Sequence, residues 1–144
     1  MATAVCSAIK KHYPAHELIV ISGYPDVFAP NPNVSMSLGF QNLHYFYPQH
    51  IAGQDTLLFL HDPYHTTEFV YKRGHLIAVW CALCGVPYNG ELPELYLTAK
   101  EYSQYGPLFA SPKPLLVMQT NGGISPQGDK YSWPRDLPIA TAQK

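Results

Sequence analysis

Apolar residues along this chain fall into short runs that alternate with stretches of helical spacing. The opening segment MATAVCSAIKKH places Val5 and Ile9 four positions apart and ends in basic residues, which predicts an amphipathic helix over residues 1–12. Apolar runs typical of buried strands follow at residues 17–22 (ELIVIS) and 56–60 (TLLFL). This alternation predicts an α/β fold with a parallel sheet flanked by helices.

Weaker patterns predict further short elements between these runs. Residues 34–38 (VSMSL) alternate apolar and polar side chains, which predicts a short edge strand. Residues 43–47 are predicted as another strand. The loop over residues 23–33 contains three prolines, and we expect a short helical turn at residues 26–28 within it.

Cap residues mark two more helices in the middle of the chain. Thr66 or Thr67 is expected to begin a long amphipathic helix that ends at Gly85. A short strand at residues 95–97 and a short helix capped by Thr98 follow.

Composition narrows the class of protein. The chain has 144 residues, of which 47% are hydrophobic and 13% charged, so it is long and apolar enough to fold around a core. A net charge of -1 shows no excess of positive charge of the kind that binds nucleic acid. No apolar run approaches the roughly 20 residues that span a bilayer. Three cysteines form no disulfide framework, which predicts a reducing cytoplasm.

The stretch KPLLVMQTNGGISPQGDKYSWPRDLP, from Lys113 to Pro138, carries the strongest chemical pattern. Its apolar run predicts a buried strand, and Gly122 and Gly123 after it allow a backbone to approach a ligand closely. Lys130 then precedes a predicted helix start. Strand, glycine turn, cation and helix N-terminus in this order indicate a phosphate site at a sheet edge. The alternative is an ordinary strand–loop–helix connection.

Three segments of the chain resemble glycosyltransferase family 9, the ADP-heptose:lipopolysaccharide heptosyltransferases and their relatives. Residues 1–34 are similar to the family's first helix and second strand, and residues 75–98 are similar to a segment of its acceptor domain. The stretch from Lys113 to Pro138 resembles the start of the donor domain. Its motif from Lys130 to Pro134 (KYSWP) is one residue longer than the family's Lys-x-Trp-Pro.

The resemblance implies a Rossmann-like parallel sheet flanked by helices, within a GT-B architecture. Residues 1–105 would be a partial N-terminal acceptor domain that lacks its first strand. Residues 106–114 would be a linker, and residues 115–144 would begin the C-terminal donor domain.

The resemblance also implies the activity. A heptose-like sugar would move with inversion, and without metal or cofactor, from an ADP-heptose-like nucleotide-diphosphate donor. The acceptor would be lipopolysaccharide, another cell-surface glycan or a lipid-linked glycan. These partners imply a cytoplasmic enzyme that associates peripherally with the cytoplasmic face of the inner membrane. A non-catalytic Rossmann-like nucleotide-binding module and an inactive fragment are the alternatives.

By the resemblance, the donor's diphosphate would be held around the glycine loop. The residues of this predicted donor site are Thr120, Asn121, Gly122, Gly123 and Lys130. Backbone amides and a lysine could stabilise a departing diphosphate without a metal.

His61 and Asp62 are predicted to lie on the acceptor side, because they follow the predicted strand over residues 56–60. The family's proposed base is an aspartate in a loop before its first helix, and we find no such loop in this sequence. Asp62 is therefore a weak candidate for the base, and the isolated chain is expected to be inactive.

The sequence also suggests a redox site and a metal site, but both have weaker support than the donor site. The segment Trp80–Cys84 (WCALC) resembles a thioredoxin-type motif, but its place at a helix end favours two packed thiols over redox chemistry. His61, Asp62, His65 and Glu68 suggest metal ligands, yet the proline between them interrupts the helix that would align them. We therefore predict no metal site.

Overall fold

The computed structural model describes residues 1–60 and 62–113. It is a mixed structure in which helices flank a small two-stranded parallel sheet, so the coarse α/β prediction is confirmed. The chain divides into two compact units, Met1–Tyr102 and Ser103–Lys144. The longer elements are α1 (Ala2–His12), β1 (Ile19–Ser22), β2 (Met36–Gly39), α2 (Thr67–Val70), α3 (Leu76–Leu83) and α4 (Ala99–Tyr105). Short 3₁₀ turns cover Pro25–Val27, Phe40–Asn42, Pro63–His65 and Gly106–Phe109, and a π-helical turn covers Tyr47–Ile51.

The core of the first unit lies between α1 and α3. Ala4 and Ala8 of α1 are almost fully buried, and their small side chains allow close helix packing against Ile77 and Cys81 of α3. The predicted first helix is confirmed, and its last turn carries the three basic residues expected there.

The sheet pairs β1 with β2 in parallel, in a register that places Ile19 opposite Met36 and Ser22 opposite Gly39. Ser35 fixes the start of this ladder, because its amide donates to the Leu18 carbonyl at 2.8 Å and its hydroxyl accepts from the Leu18 amide at 3.2 Å. Both predicted strands are confirmed.

The predicted strand over residues 43–47 is wrong. The chain forms local turns there instead, with the Phe46 amide bonded to the Leu43 carbonyl at 3.1 Å and the π-helical turn Tyr47–Ile51 following directly. Pro48 has no N–H to donate to a ladder, so the backbone satisfies its polar groups within helical turns.

The predicted buried strand over residues 56–60 is also wrong. The structure assigns no strand there, and Leu57, Leu58 and Leu60 are 48%, 66% and 81% exposed. Phe59 alone turns inward, against the α1–α3 core. A strand exists only where a second backbone pairs with it, and no described strand does so here.

The predicted long helix is broken into α2 and α3. Thr66 caps α2 as expected, because its Oγ1 accepts from the Phe69 amide at 3.3 Å. Lys72 then adopts a left-handed φ of 56°, which ends α2 after one turn and lets the chain redirect before α3 begins. Gly85, with a φ of 67°, follows α3 as predicted.

Residues 95–97 form no strand, which corrects that prediction, and Leu95 and Leu97 are exposed. The predicted cap of α4 is confirmed as a reciprocal pair. The Glu101 amide donates to Thr98 Oγ1 at 3.2 Å, and the Thr98 amide donates to Glu101 Oε2 at 2.7 Å.

Candidate functional site

Asp62 acts as a local cap for the turn that follows it. Its Oδ1 accepts from the Tyr64 amide at 2.9 Å, and its Oδ2 lies 3.5 Å from His65 Nε2. The side chain is 59% exposed. The carboxylate is thus held by neighbours within three residues of it, and its assignment as a base stays a prediction.

The other predicted site residues lie outside the part of the chain that the structure describes. These residues are His61 on the acceptor side and Thr120, Asn121, Gly122, Gly123 and Lys130 on the donor side. Their roles therefore stay predictions from the sequence.

The three cysteines are free, buried thiols, and Cys81 and Cys84 belong to the core between α1 and α3. Cys81 lies inside α3 and Cys84 follows its last residue, which confirms the predicted helical placement. Burial, and then the neighbouring thiol, raise the pKa of both Cys6 and Cys84 to about 11. Such thiols are poor nucleophiles at neutral pH.

Metal ligands do not converge in the described ranges 1–60 and 62–113. No group of three or more His, Cys, Asp or Glu side chains there is placed to hold a metal ion. His65, one of the residues considered as a ligand, has an exposed side chain next to Asp62.

A cavity of about 510 Å³ lies beside the start of β1. Its walls come from the last turns of α1, the first residues of β1, the π-helical turn and the segment before residue 60. Representative lining residues are Ile9, Tyr13, Ile19, His50, Leu57 and Phe59. The cavity lies at the amino end of β1, whereas open α/β sheets place ligands beyond the carboxyl ends of their strands.

The polar groups around this cavity serve the local structure or face water. Lys10 Nζ donates to the carbonyls of Pro14 and His16 at 3.1 and 2.6 Å, which closes the loop after α1. Glu17 and Asp55 at the rim are exposed and form no ion pair with a described residue. The cavity was missed at the sequence level, because no motif marks it.

Glu91 is the most deeply buried acidic side chain described, with a side-chain exposure of 2%. Lys11 Nζ lies 3.0 Å from Oε1, and the Asn89 amide donates to Oε2 at 2.8 Å. Burial acts to raise the pKa of Glu91, but hydrogen bonds from the Asn89 amide, Lys11 and the Glu91 backbone, together with the positive charge of Lys11, outweigh burial and lower the pKa. Glu91 is thus a structural anion that holds its loop against α1.

Comparisons with known proteins identified no related protein. No protein-family model, no curated protein and no solved structure matches this chain. Within the described residues, no helix is long and apolar enough to cross a membrane.

Proposed function

We propose that this chain binds a nucleotide-diphosphate sugar and serves the transfer of its heptose-like sugar to a glycan acceptor, as in glycosyltransferase family 9. One observation carries the proposal. The sequence from Lys113 to Pro138 orders an apolar run, Gly122-Gly123, Lys130 and a helix start, which is the order of a phosphate site in α/β proteins.

The described fold is compatible with this proposal. The resemblance over residues 1–34 implies a helix followed by a strand of a parallel sheet, and α1, β1 and β2 have that arrangement. A Rossmann-like sheet in a GT-B architecture is the larger fold that we propose for the whole enzyme.

The transfer reaction requires two functional groups from the protein, one for the leaving diphosphate and one for the acceptor. A departing diphosphate must be stabilised, for which we propose the backbone amides of Gly122 and Gly123 and the ammonium of Lys130. The acceptor hydroxyl must lose a proton to a base, and general-base catalysis typically contributes 10²–10⁴-fold in rate. We place His61 and Asp62 on the acceptor side, with Asp62 as the candidate base.

Donor binding tests the proposal most directly. Isothermal calorimetry with ADP-heptose and with ADP should show binding that Lys130→Ala weakens by roughly 10- to 100-fold, because a charge-assisted contact to phosphate contributes roughly 1.5–3 kcal/mol. Lys113→Ala is the matched control, since it removes an exposed lysine before the predicted strand. Equal affinities for the Lys130 and Lys113 variants would contradict the proposed donor site.

A non-catalytic nucleotide-binding module is the second candidate. The local capping role of Asp62 favours it, because one of its carboxylate oxygens already accepts a hydrogen bond from the Tyr64 amide. Sugar transfer to lipopolysaccharide separates the two candidates. Transfer that Asp62→Asn abolishes supports the enzyme, whereas donor binding without transfer is expected both of the module and of the isolated chain.

A further inference from the structure

The dipeptide Asn89–Gly90 lies in the loop that follows α3. Both residues are exposed, and Gly90 adopts a left-handed φ of 86°, which glycine reaches without steric cost. Apart from the two chain neighbours of Gly90, no heavy atom of a described residue lies within 4 Å of the position that a Cβ on Gly90 would take. The space around this peptide bond is therefore open.

Two amide groups on either side of this peptide bond have no partner within residues 1–60 and 62–113. The Gly90 backbone N–H donates to no described residue, and the Asn89 side-chain amide makes no hydrogen bond to one. The Asn89 backbone amide, in contrast, donates to Glu91 Oε2 at 2.8 Å. The side-chain amide of Asn89 and the backbone nitrogen that follows it are thus free to react with each other.

We propose that Asn89 is a modification site, where the side chain deamidates through a cyclic imide formed with Gly90, and that deamidation releases this loop from α1. The Gly90 nitrogen loses its proton to water or hydroxide and attacks Asn89 Cγ, so an N–C bond forms. The bond from Cγ to the side-chain nitrogen breaks, and that nitrogen takes up a proton and leaves as ammonia. Water then opens the imide ring at either carbonyl, which gives aspartate or isoaspartate without oxidation or reduction.

The residue that follows an asparagine decides how readily the ring closes. Glycine places no side chain on the carbon next to the attacking nitrogen, so it hinders the attack least. In the sequence only Asn89 and Asn121 precede a glycine, and Asn121 lies outside the described residues. Asn42 is also exposed but precedes Leu43, which makes it an internal control in the same chain.

Deamidation acts on the buried Glu91, which joins this loop to α1. The Glu91 carboxylate accepts hydrogen bonds from the Asn89 amide and from Lys11. Either product places a second negative charge two residues before Glu91, and like charges oppose each other in a poorly solvated site. Isoaspartate also lengthens the backbone between the Asn89 amide and Glu91 by one carbon atom, so the hydrogen bond between them loses its geometry.

Ageing of the full chain tests the reaction itself. After incubation in mildly alkaline buffer, peptide mapping by mass spectrometry should show Asn89 converted to aspartate and isoaspartate, whereas Asn42 stays an amide. The converted fraction should rise with the hydroxide concentration, because the attacking nitrogen must first lose its proton. An Asn89 that stays unconverted, or equal conversion of Asn42 and Asn89, overturns the proposal.

Asn89→Gln is the matched variant for the effect on the loop, because glutamine keeps the side-chain amide but must close a larger ring that forms more slowly. The aged parent chain should unfold at a lower urea concentration than the fresh one. Its Glu94 amide, which donates to Thr3 Oγ1 at 3.1 Å, should lose protection from hydrogen exchange. Aged Asn89→Gln should match its fresh form in both measurements, since any conversion at Asn121 is common to the two chains.

Two outcomes overturn the release of the loop from α1. The first is an equal change in the aged parent chain and in aged Asn89→Gln. The second is conversion of Asn89 that leaves both the urea midpoint and the protection of the Glu94 amide unchanged.

Discussion

At the residue scale, the most informative contact is the ion pair between the buried Glu91 and the exposed Lys11. The Glu91 side chain is 2% exposed while the lysine side chain is 63% exposed. Most of the free-energy cost of removing charge from water therefore falls on the carboxylate. Two hydrogen bonds compensate for that desolvation. The pair connects the loop after α3 to the last turn of α1. A second hydrogen bond between this loop and α1 runs from the Glu94 amide to Thr3 Oγ1, at 3.1 Å.

This contact predicts a pH dependence of stability. The folded pKa of Glu91 is lowered from its ordinary value of 4.5, so its contribution is present above that value and is lost as the pH falls through the folded pKa. We expect Glu91→Gln to lower the free energy of unfolding by roughly 1–3 kcal/mol at neutral pH and by much less in acid. Urea unfolding across this pH range measures the difference.

Glu17→Gln is the control for that experiment, because Glu17 is exposed and pairs with no cation among the described residues. Its unfolding free energy should follow that of the parent chain. A Glu91→Gln difference that stays constant from neutral pH to acid would contradict a role for the carboxylate charge.

At the element scale, caps decide where helices begin. Thr66 Oγ1 accepts from the Phe69 amide and also donates to the Pro63 carbonyl at 2.8 Å, so one hydroxyl joins the 3₁₀ turn to α2. Helix α2 has only four residues, and such a short helix depends on its cap and its tertiary contacts.

Thr66→Ala should therefore destabilise the chain by about 1 kcal/mol. Thr67→Ala is a close control, because Thr67 is exposed and its side chain makes no hydrogen bond to a described residue. Thermal or urea unfolding of both variants measures the difference. Equal stabilities of the two variants would refute the capping role.

At the scale of the whole molecule, burial is concentrated in one place. The buried hydrophobic cluster consists of residues of α1 and α3 together with Cys84 and Val86, whereas residues 56–60 and 92–109 expose many large apolar side chains. Regions with few buried contacts open at low free energy, and cores open close to the global free energy.

Hydrogen exchange on the chain at low concentration should reveal this order. Amides within α1 and α3, around Ala8 and Ile77, should exchange slowest, and amides of residues 57–60 and 99–105 should exchange fastest. Uniform protection along residues 1–60 and 62–113 would contradict the concentration of burial in the α1–α3 contact.

The sequence by itself determined the features that depend on near neighbours. The caps at Thr66 and Thr98 and the turn at Gly85 were predicted correctly because their hydrogen bonds or backbone angles involve residues within four positions. The helix α1 was predictable from its spacing. The donor pattern around Lys130 likewise comes from the sequence, and it lies outside the described residues.

Only the tertiary structure decided which apolar runs became strands. Residues 19–22 and 36–39 are strands because each supplies the backbone that the other needs. Residues 56–60 have an equally apolar composition but no described partner, so their leucines remain exposed. Ladder hydrogen bonds join residues distant in sequence, and so do the contacts that bury Glu91 and shape the cavity, which is why local patterns could not predict them.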